Sequence, residues 1–212
     1  MAFTGIPRQA FDFYAGLQAD NSKAYWTAHK SSYDHDVREP LQALLRELEP
    51  RFGPATLFRP YRDVRFSADK SPYKTQQGAL VGDLGAGGYY LAVDAEGLTV
   101  GGGFRAHSRE QTARLRAAVD APASGTRLER IVADLHGGGF ELAGEQVKTA
   151  PRGYPKDHPR IALLRYAELL VVQRLGTPAW VSSRAAARRV ADTWERITPL
   201  TAWVREFVDA TR

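Results

Sequence analysis

Between Arg59 and Lys74 the chain reads Arg59-Pro60-Tyr61-Arg62-Asp63-Val64-Arg65-Phe66-Ser67-Ala68-Asp69-Lys70-Ser71-Pro72-Tyr73-Lys74, five cations against two carboxylates. Arginine donates paired hydrogen bonds to phosphate or carboxylate, lysine brings a mobile point charge, and tyrosine offers a hydroxyl or a stacking face. These are the groups that hold an anion. Read as a strand over Leu57–Phe66, alternation puts Arg59, Tyr61, Asp63 and Arg65 on one face and Phe58, Arg62, Val64 and Phe66 on the other. On the apolar side Arg62 needs a carboxylate partner or a route to the edge. Arg59 and Arg65 then stand about 20 Å apart at roughly 3.3 Å per residue, too far to share one phosphate. A compact anion would combine Arg65 with Tyr73 or Lys74, returned by a turn at Ser67–Pro72 with Lys70 at its tip. The candidate ligand-binding set is therefore Arg59, Arg62, Arg65, Asp69, Lys70, Tyr73 and Lys74. Asp63 either holds Arg65 in place or serves as a catalytic base, kept ionised by the cations beside it. The competing reading is an Arg–Asp network that only fixes a hairpin.

A second group, Lys148, Tyr154, His158 and Arg165, surrounds the Asp157-His158-Pro159 step, where a helix start would attract anions. His158 beside Asp157 is a weaker base candidate, because adjacent residues rarely orient each other and a helix cap explains the pair as well. Tyr25, Trp26 and Tyr33 could stack on a base or sugar, although helical spacing favours core packing. The glycine runs at 85–88, 101–103 and 137–139 lack the flanking residues of a phosphate loop and read as turns, bulges or close backbone contacts. The five histidines are scattered and cysteine is absent, so no metal site and no cofactor is expected, and disulfides and thiolate chemistry are excluded.

The elements that must carry these groups follow from periodicity. Apolar residues at three- and four-residue steps predict helices over Pro7–Leu17, from the Asp20-Asn21-Ser22 caps through Tyr33, and from Val37 to just before Pro50. Short aromatic and β-branched runs predict strands at Leu57–Phe66, Gln76–Val81, Tyr89–Val93 and Leu98–Phe104, an antiparallel meander with a turn at Asp94–Gly97. Further helices are expected after Ser108, over Thr126–Leu135, and briefly from Pro159 to Leu164. Leu169–Leu175 reads as a strand, and Ser183–Ala210 as a helix broken at Thr198-Pro199. The fold class is α+β, a central antiparallel sheet packed by N-terminal and C-terminal helices, with residues 1–212 as a single domain.

A net charge of +5 and a pI near 9.5 would suit an anionic partner, but acidic residues are interleaved with basic ones along most of the chain. No apolar run has the length of a signal peptide or a membrane span, so a soluble, cytoplasmic protein without a membrane partner is expected. The residues Arg59, Arg62-Asp63, Arg65-Phe66, Asp69-Lys70 and Tyr73 resemble the signature of a mostly bacterial family catalogued as domain of unknown function 2461. Similarity extends through Asn21, Tyr25-Trp26, Lys30, Tyr33, Gly87–Tyr90, Gly101–Gly103, Lys148, Ala150–Tyr154, Asp157–Pro159 and Leu163–Arg165. The resemblance implies family membership, length and a one-domain architecture, and it carries no residue role across. Three functions remain: binding, with or without turnover, of an anionic, phosphate-bearing small molecule; nucleic-acid binding by the same cations; and a protein-interaction or scaffold role with a purely structural motif. Oligomeric state is not legible.

Overall fold

The computed structural model describes residues 2–63, 65 and 69–209. The fold is α+β. Helices α1 (Gln9–Ala19), α2 (Lys23–Ser32) and α3 (Glu39–Phe52) come first, with a wide π-helical segment, Tyr33–Arg38, joining α2 to α3. Strands β1 (Ala55–Leu57), β2 (Gln76–Val81), β3 (Gly88–Asp94) and β4 (Gly97–Phe104) follow, then α4 (Arg109–Asp120), α5 (Pro122–Gly137), β5 (Glu141–Ala143), α6 (Ile161–Leu164), β6 (Leu169–Gly176) and α7 (Ala185–Phe207). The six strands form an antiparallel sheet in the order β1-β2-β3-β4-β6-β5. Ala55 pairs with Val81 and Leu57 with Ala79 at one edge, and Glu141 with Val172 at the other.

Two compact units divide the chain. The first comprises Met1–Val81, Tyr90–Val100 and Arg174–Asp192; the second comprises Gly82–Tyr89, Gly101–Gln173 and Thr193–Arg212. In the first, Phe11, Tyr14, Leu17, Val37, Leu41 and Leu44 come off α1, the π segment and α3 at helical spacing and are buried. Ser22 caps α2 by accepting from the Tyr25 N–H at 3.1 Å, and Gly53, at φ 96°, ends α3. Pro50 lies in the last turn of α3 rather than beyond it. In the second unit, Trp194, Ile197, Leu200, Trp203 and Val204 are fully buried along α7. The glycines of β4 are a close backbone contact: a Cβ on Gly103, at φ 127°, would stand 2.2 Å from the Leu169 carbonyl oxygen.

Three sequence expectations need correction. The strand expected over Leu57–Phe66 ends at Leu57, and beyond it, among the described residues of the segment, only a single bridge, Tyr61 to Tyr73, is formed. Pro60 and Pro72 explain this, since neither has an N–H to give a ladder; each contributes only its carbonyl, accepting from Lys74 at 2.8 Å and Arg62 at 2.9 Å. Val64, Phe66, Ser67 and Ala68 lie outside the described residues. The break expected at Thr198-Pro199 is absent, and α7 runs through Pro199. An interior proline costs about 3 kcal/mol, while each large apolar side chain buried on that helix returns roughly 1.5–3 kcal/mol, so packing wins. Helix α5 starts at Pro122, four residues ahead of the expected Thr126, because proline suits a first turn and Ser124 ties back to the Ala118 carbonyl at 2.6 Å.

Candidate functional site

The basic segment is held to the first unit through its returning arm. Asn21 brackets Tyr73: its side-chain amide donates to the Tyr73 carbonyl at 3.1 Å, and its carbonyl oxygen accepts the Tyr73 N–H at 3.0 Å. The Tyr73 ring, buried, lies flat on Trp26 with centroids 4.4 Å apart. Below it, the Tyr33 hydroxyl donates to the side-chain carbonyl of buried Gln77 at 2.6 Å, and the Gln77 amide donates to the carbonyls of Phe58 at 2.7 Å and Gly78 at 3.0 Å. Buried polar groups of this kind are costly unless satisfied, and here each satisfies another. The network fixes where the chain leaves β1.

Internal carboxylates account for two of the segment's cations. Arg62 pairs with Asp69, as a half-buried guanidinium requires. Arg65 grips Asp63 with two bonds, Nε to Oδ1 at 2.9 Å and Nη2 to Oδ2 at 2.6 Å, on an exposed surface. That grip lowers the Asp63 pKa below the usual carboxylate range, which keeps Asp63 ionised but makes it a weak proton acceptor. Hydrogen bonds from Ser71, with Arg62 adding to them, hold Asp69 down to about 2. Lys74 lies 5.4 Å over the Phe58 ring, its pKa lowered by desolvation and by Arg59. Lys70 is exposed. Arg59 is exposed and pairs with no carboxylate among the described residues.

Arg59 lines an open cleft of about 610 Å³, together with Phe58, Pro60 and Tyr61 from the segment, Trp26 and Lys30 from α2, Tyr33, Asp34 and Arg38 from the π segment, and Gln42 from α3. Three cations face one carboxylate there. The π segment is what brings Asp34 and Arg38 in. Its Glu39 N–H reaches back five residues to the Asp34 carbonyl, and the wide turn ends where Pro40 withholds a donor. Asp34 pairs with Lys30 through Oδ2, whereas Oδ1 is shielded, accepts no hydrogen bond among the described residues, and stands 3.7 Å from Arg38 Nη1. At that distance Arg38 is attracted but not hydrogen-bonded, so turning it toward another anion costs little.

Sequence reasoning offered Arg59, Arg62, Arg65, Asp69, Lys70, Tyr73 and Lys74 as one ligand-binding set, with a compact anion on Arg65 and Tyr73 or Lys74. Of these, the structure sets Arg59 on the cleft, buries Tyr73 in its supporting wall, and uses Arg65 on Asp63. It adds Lys30, Asp34 and Arg38, which a four-residue apolar spacing of Tyr33, Val37 and Leu41 disguised as ordinary helix surface. The signal for them was Pro40 just after an unusually polar turn, Asp34-His35-Asp36.

Residues 9–203 match the family described as conserved hypothetical protein (DUF2461). The chain belongs to this family. No curated protein matches it. The DUF2461 match takes in both groups of candidate residues, and the second group lies in the second unit of the structure.

There His158 is tied down on both ring nitrogens: the Arg160 N–H donates to Nδ1 at 3.0 Å, which leaves Nε2 to donate to Asp120 at 3.0 Å. Arg160 in turn caps the end of α4, donating to the carbonyls of Val119 at 2.7 Å and Asp120 at 2.6 Å. Arg165 donates to the Val147 carbonyl at 2.9 Å, Tyr154 meets His158 edge-on with centroids 6.3 Å apart, and Lys148 is exposed. Helix α6 is one turn long, too short to build a strong anion site at its start. These contacts make a structural tie between α4 and the segment leading into α6.

Proposed function

We propose that this protein binds an anionic, phosphate-bearing small molecule in the cleft between α2, the π segment and the stretch Ala55–Tyr61. The observation that carries the reading is Arg59, a cation without a carboxylate partner among the described residues, on the same cleft as Arg38 and Lys30. Those two share the single carboxylate of Asp34, one of them through a loose contact, so an entering phosphate competes with a half-engaged partner instead of breaking a tight pair. Phosphate oxygens would accept from the guanidinium groups of Arg59 and Arg38, with Lys30 adding charge. The cleft has the size of a small-molecule pocket, within roughly 300–1,000 Å³, and its floor of Trp26 and Tyr33 is fixed by the Tyr73 stack and the Gln77 network. Asp63, gripped by Arg65, contributes no base to this reading, which is one of binding.

Calorimetric titration with inorganic pyrophosphate and phosphorylated metabolites tests it. Arg59→Gln should weaken binding about tenfold, the worth of one charge-assisted hydrogen bond of roughly 1.5–3 kcal/mol taken at its low end. Affinity should fall only shallowly with salt, since two or three cations are engaged; a steep slope, near −0.7 or beyond per phosphate over many phosphates, belongs to a polynucleotide. Unchanged affinity in Arg59→Gln, or no binding of any phosphate compound by the wild-type protein, would refute the reading.

A further inference from the structure

Among the described residues three large apolar side chains are exposed: Phe58 at 36%, Tyr61 at 47% and Val147 at 36%. Two of the three, both aromatic, line the same cleft as Arg59. Exposed rings beside cations form a surface for a flat π-system, which gains from stacking on the ring face and from the nearby positive charge. We infer that the ligand of this cleft is a mononucleotide, its base stacked on Tyr61 and its phosphate held by Arg59 and Arg38.

The inference rests on the phosphate-binding reading and adds the other half of the ligand. Arg59 and Tyr61 both line the cleft and are two residues apart, at most roughly 7 Å along the chain. That spacing separates a phosphate grip from a stacking face by about the length of a sugar. The Tyr61 ring is placed rather than loose: it stands 6.0 Å from Trp26 and 5.5 Å from Tyr73 by centroid, and its backbone bridges to Tyr73. Nearly half of the residue stays open to solvent. A polynucleotide would need a track of such platforms and cations, whereas here they gather on one bounded cleft.

The test compares adenosine monophosphate with ribose 5-phosphate, which carries the sugar and phosphate without the base, by calorimetry on the full chain. The nucleotide should bind on the order of tenfold more tightly, the contribution of one stacked base. Tyr61→Phe should keep that ratio, and Tyr61→Leu, which retains apolar bulk and so spares the loop, should bring it close to one. Equal binding of the two compounds overturns the nucleotide inference and leaves phosphate binding standing. Binding of neither overturns both. A ratio that survives in Tyr61→Leu removes Tyr61 as the platform, and binding of a single-stranded oligonucleotide but not of the mononucleotide contradicts the ligand class.

Discussion

On the proposed reading, Asp34 sets how strongly the cleft attracts an anion. Its carboxylate is the one negative group on a wall that also carries Lys30, Arg38 and Arg59. Because it competes with a bound phosphate for Lys30 and Arg38, neutralising it should strengthen binding. At about 5 Å in a water-like dielectric one unit charge is worth roughly 0.8 kcal/mol, so Asp34→Asn should tighten pyrophosphate binding about fourfold. Weaker binding in a folded Asp34→Asn protein would mean that Asp34 orients the cations rather than opposing the ligand. Titration calorimetry at low salt distinguishes these, because screening shrinks the effect. At the same scale the basic motif divides: Arg62 and Arg65 form ion pairs inside the segment, and Arg59 forms none among the described residues, its charge reaching Asp63 only from a distance.

The elements matter because the cleft has a wall made of loop. Among the described residues Arg59–Lys74 is tied to itself by one bridge, two proline carbonyls and pairs such as Arg62–Asp69 rather than by a ladder, and Asn21, Trp26 and the Tyr33–Gln77 network hold it to the helices. Gln77→Leu would leave the Tyr33 hydroxyl and the Phe58 carbonyl without their Gln77 partner, while the Gly78 carbonyl keeps the Phe58 N–H at 2.9 Å, and should cost about 1–3 kcal/mol of stability in urea unfolding. A cost near zero would show that the network is dispensable. Tyr33 also predicts a pH response. Burial, against an opposing effect of Arg38, pushes its pKa from 10.0 up to about 12. A raised folded pKa stabilises below the unfolded value and loses that contribution as pH climbs through the folded one, so the effect is intact below pH 10 and gone near pH 12. Wild type should therefore lose stability relative to Tyr33→Phe across that window, and parallel curves would contradict the assignment. Here the sequence was only partly legible. Apolar spacing and Ser22 marked α1 and α2 to within a few residues, and β2 was readable from its own run. The π segment was not, since a turn widened by one residue keeps nearly the same apolar pattern. Alternation misled at Leu57–Phe66, where the prolines, which forbid a ladder, outweighed the aromatic and β-branched residues.

For the whole molecule, the α+β class and the order of the meander were visible because turns such as Asp94–Gly97 carry their own chemistry: the Asp94 side chain accepts from the N–H groups of Glu96 at 2.8 Å and Gly97 at 3.1 Å. The continuity of α7 was not visible, because it depends on burial that no local rule at Pro199 reports. Among the described residues no helix is long and apolar enough to cross a membrane. The net charge of +5 is spread along the chain, so under the proposed function the selective feature is the local gathering of three cations and two exposed rings in one unit. The most direct test is a nuclear magnetic resonance map of the full chain, backbone and arginine side chains together, titrated with adenosine monophosphate. The perturbations should concentrate on Lys30–Arg38 and Ala55–Tyr61, with the Arg59 and Arg38 side-chain signals moving and those of Arg62 and Arg65 still. Perturbations centred on Arg65 and Lys70, or on Lys148–Arg165, would contradict the account.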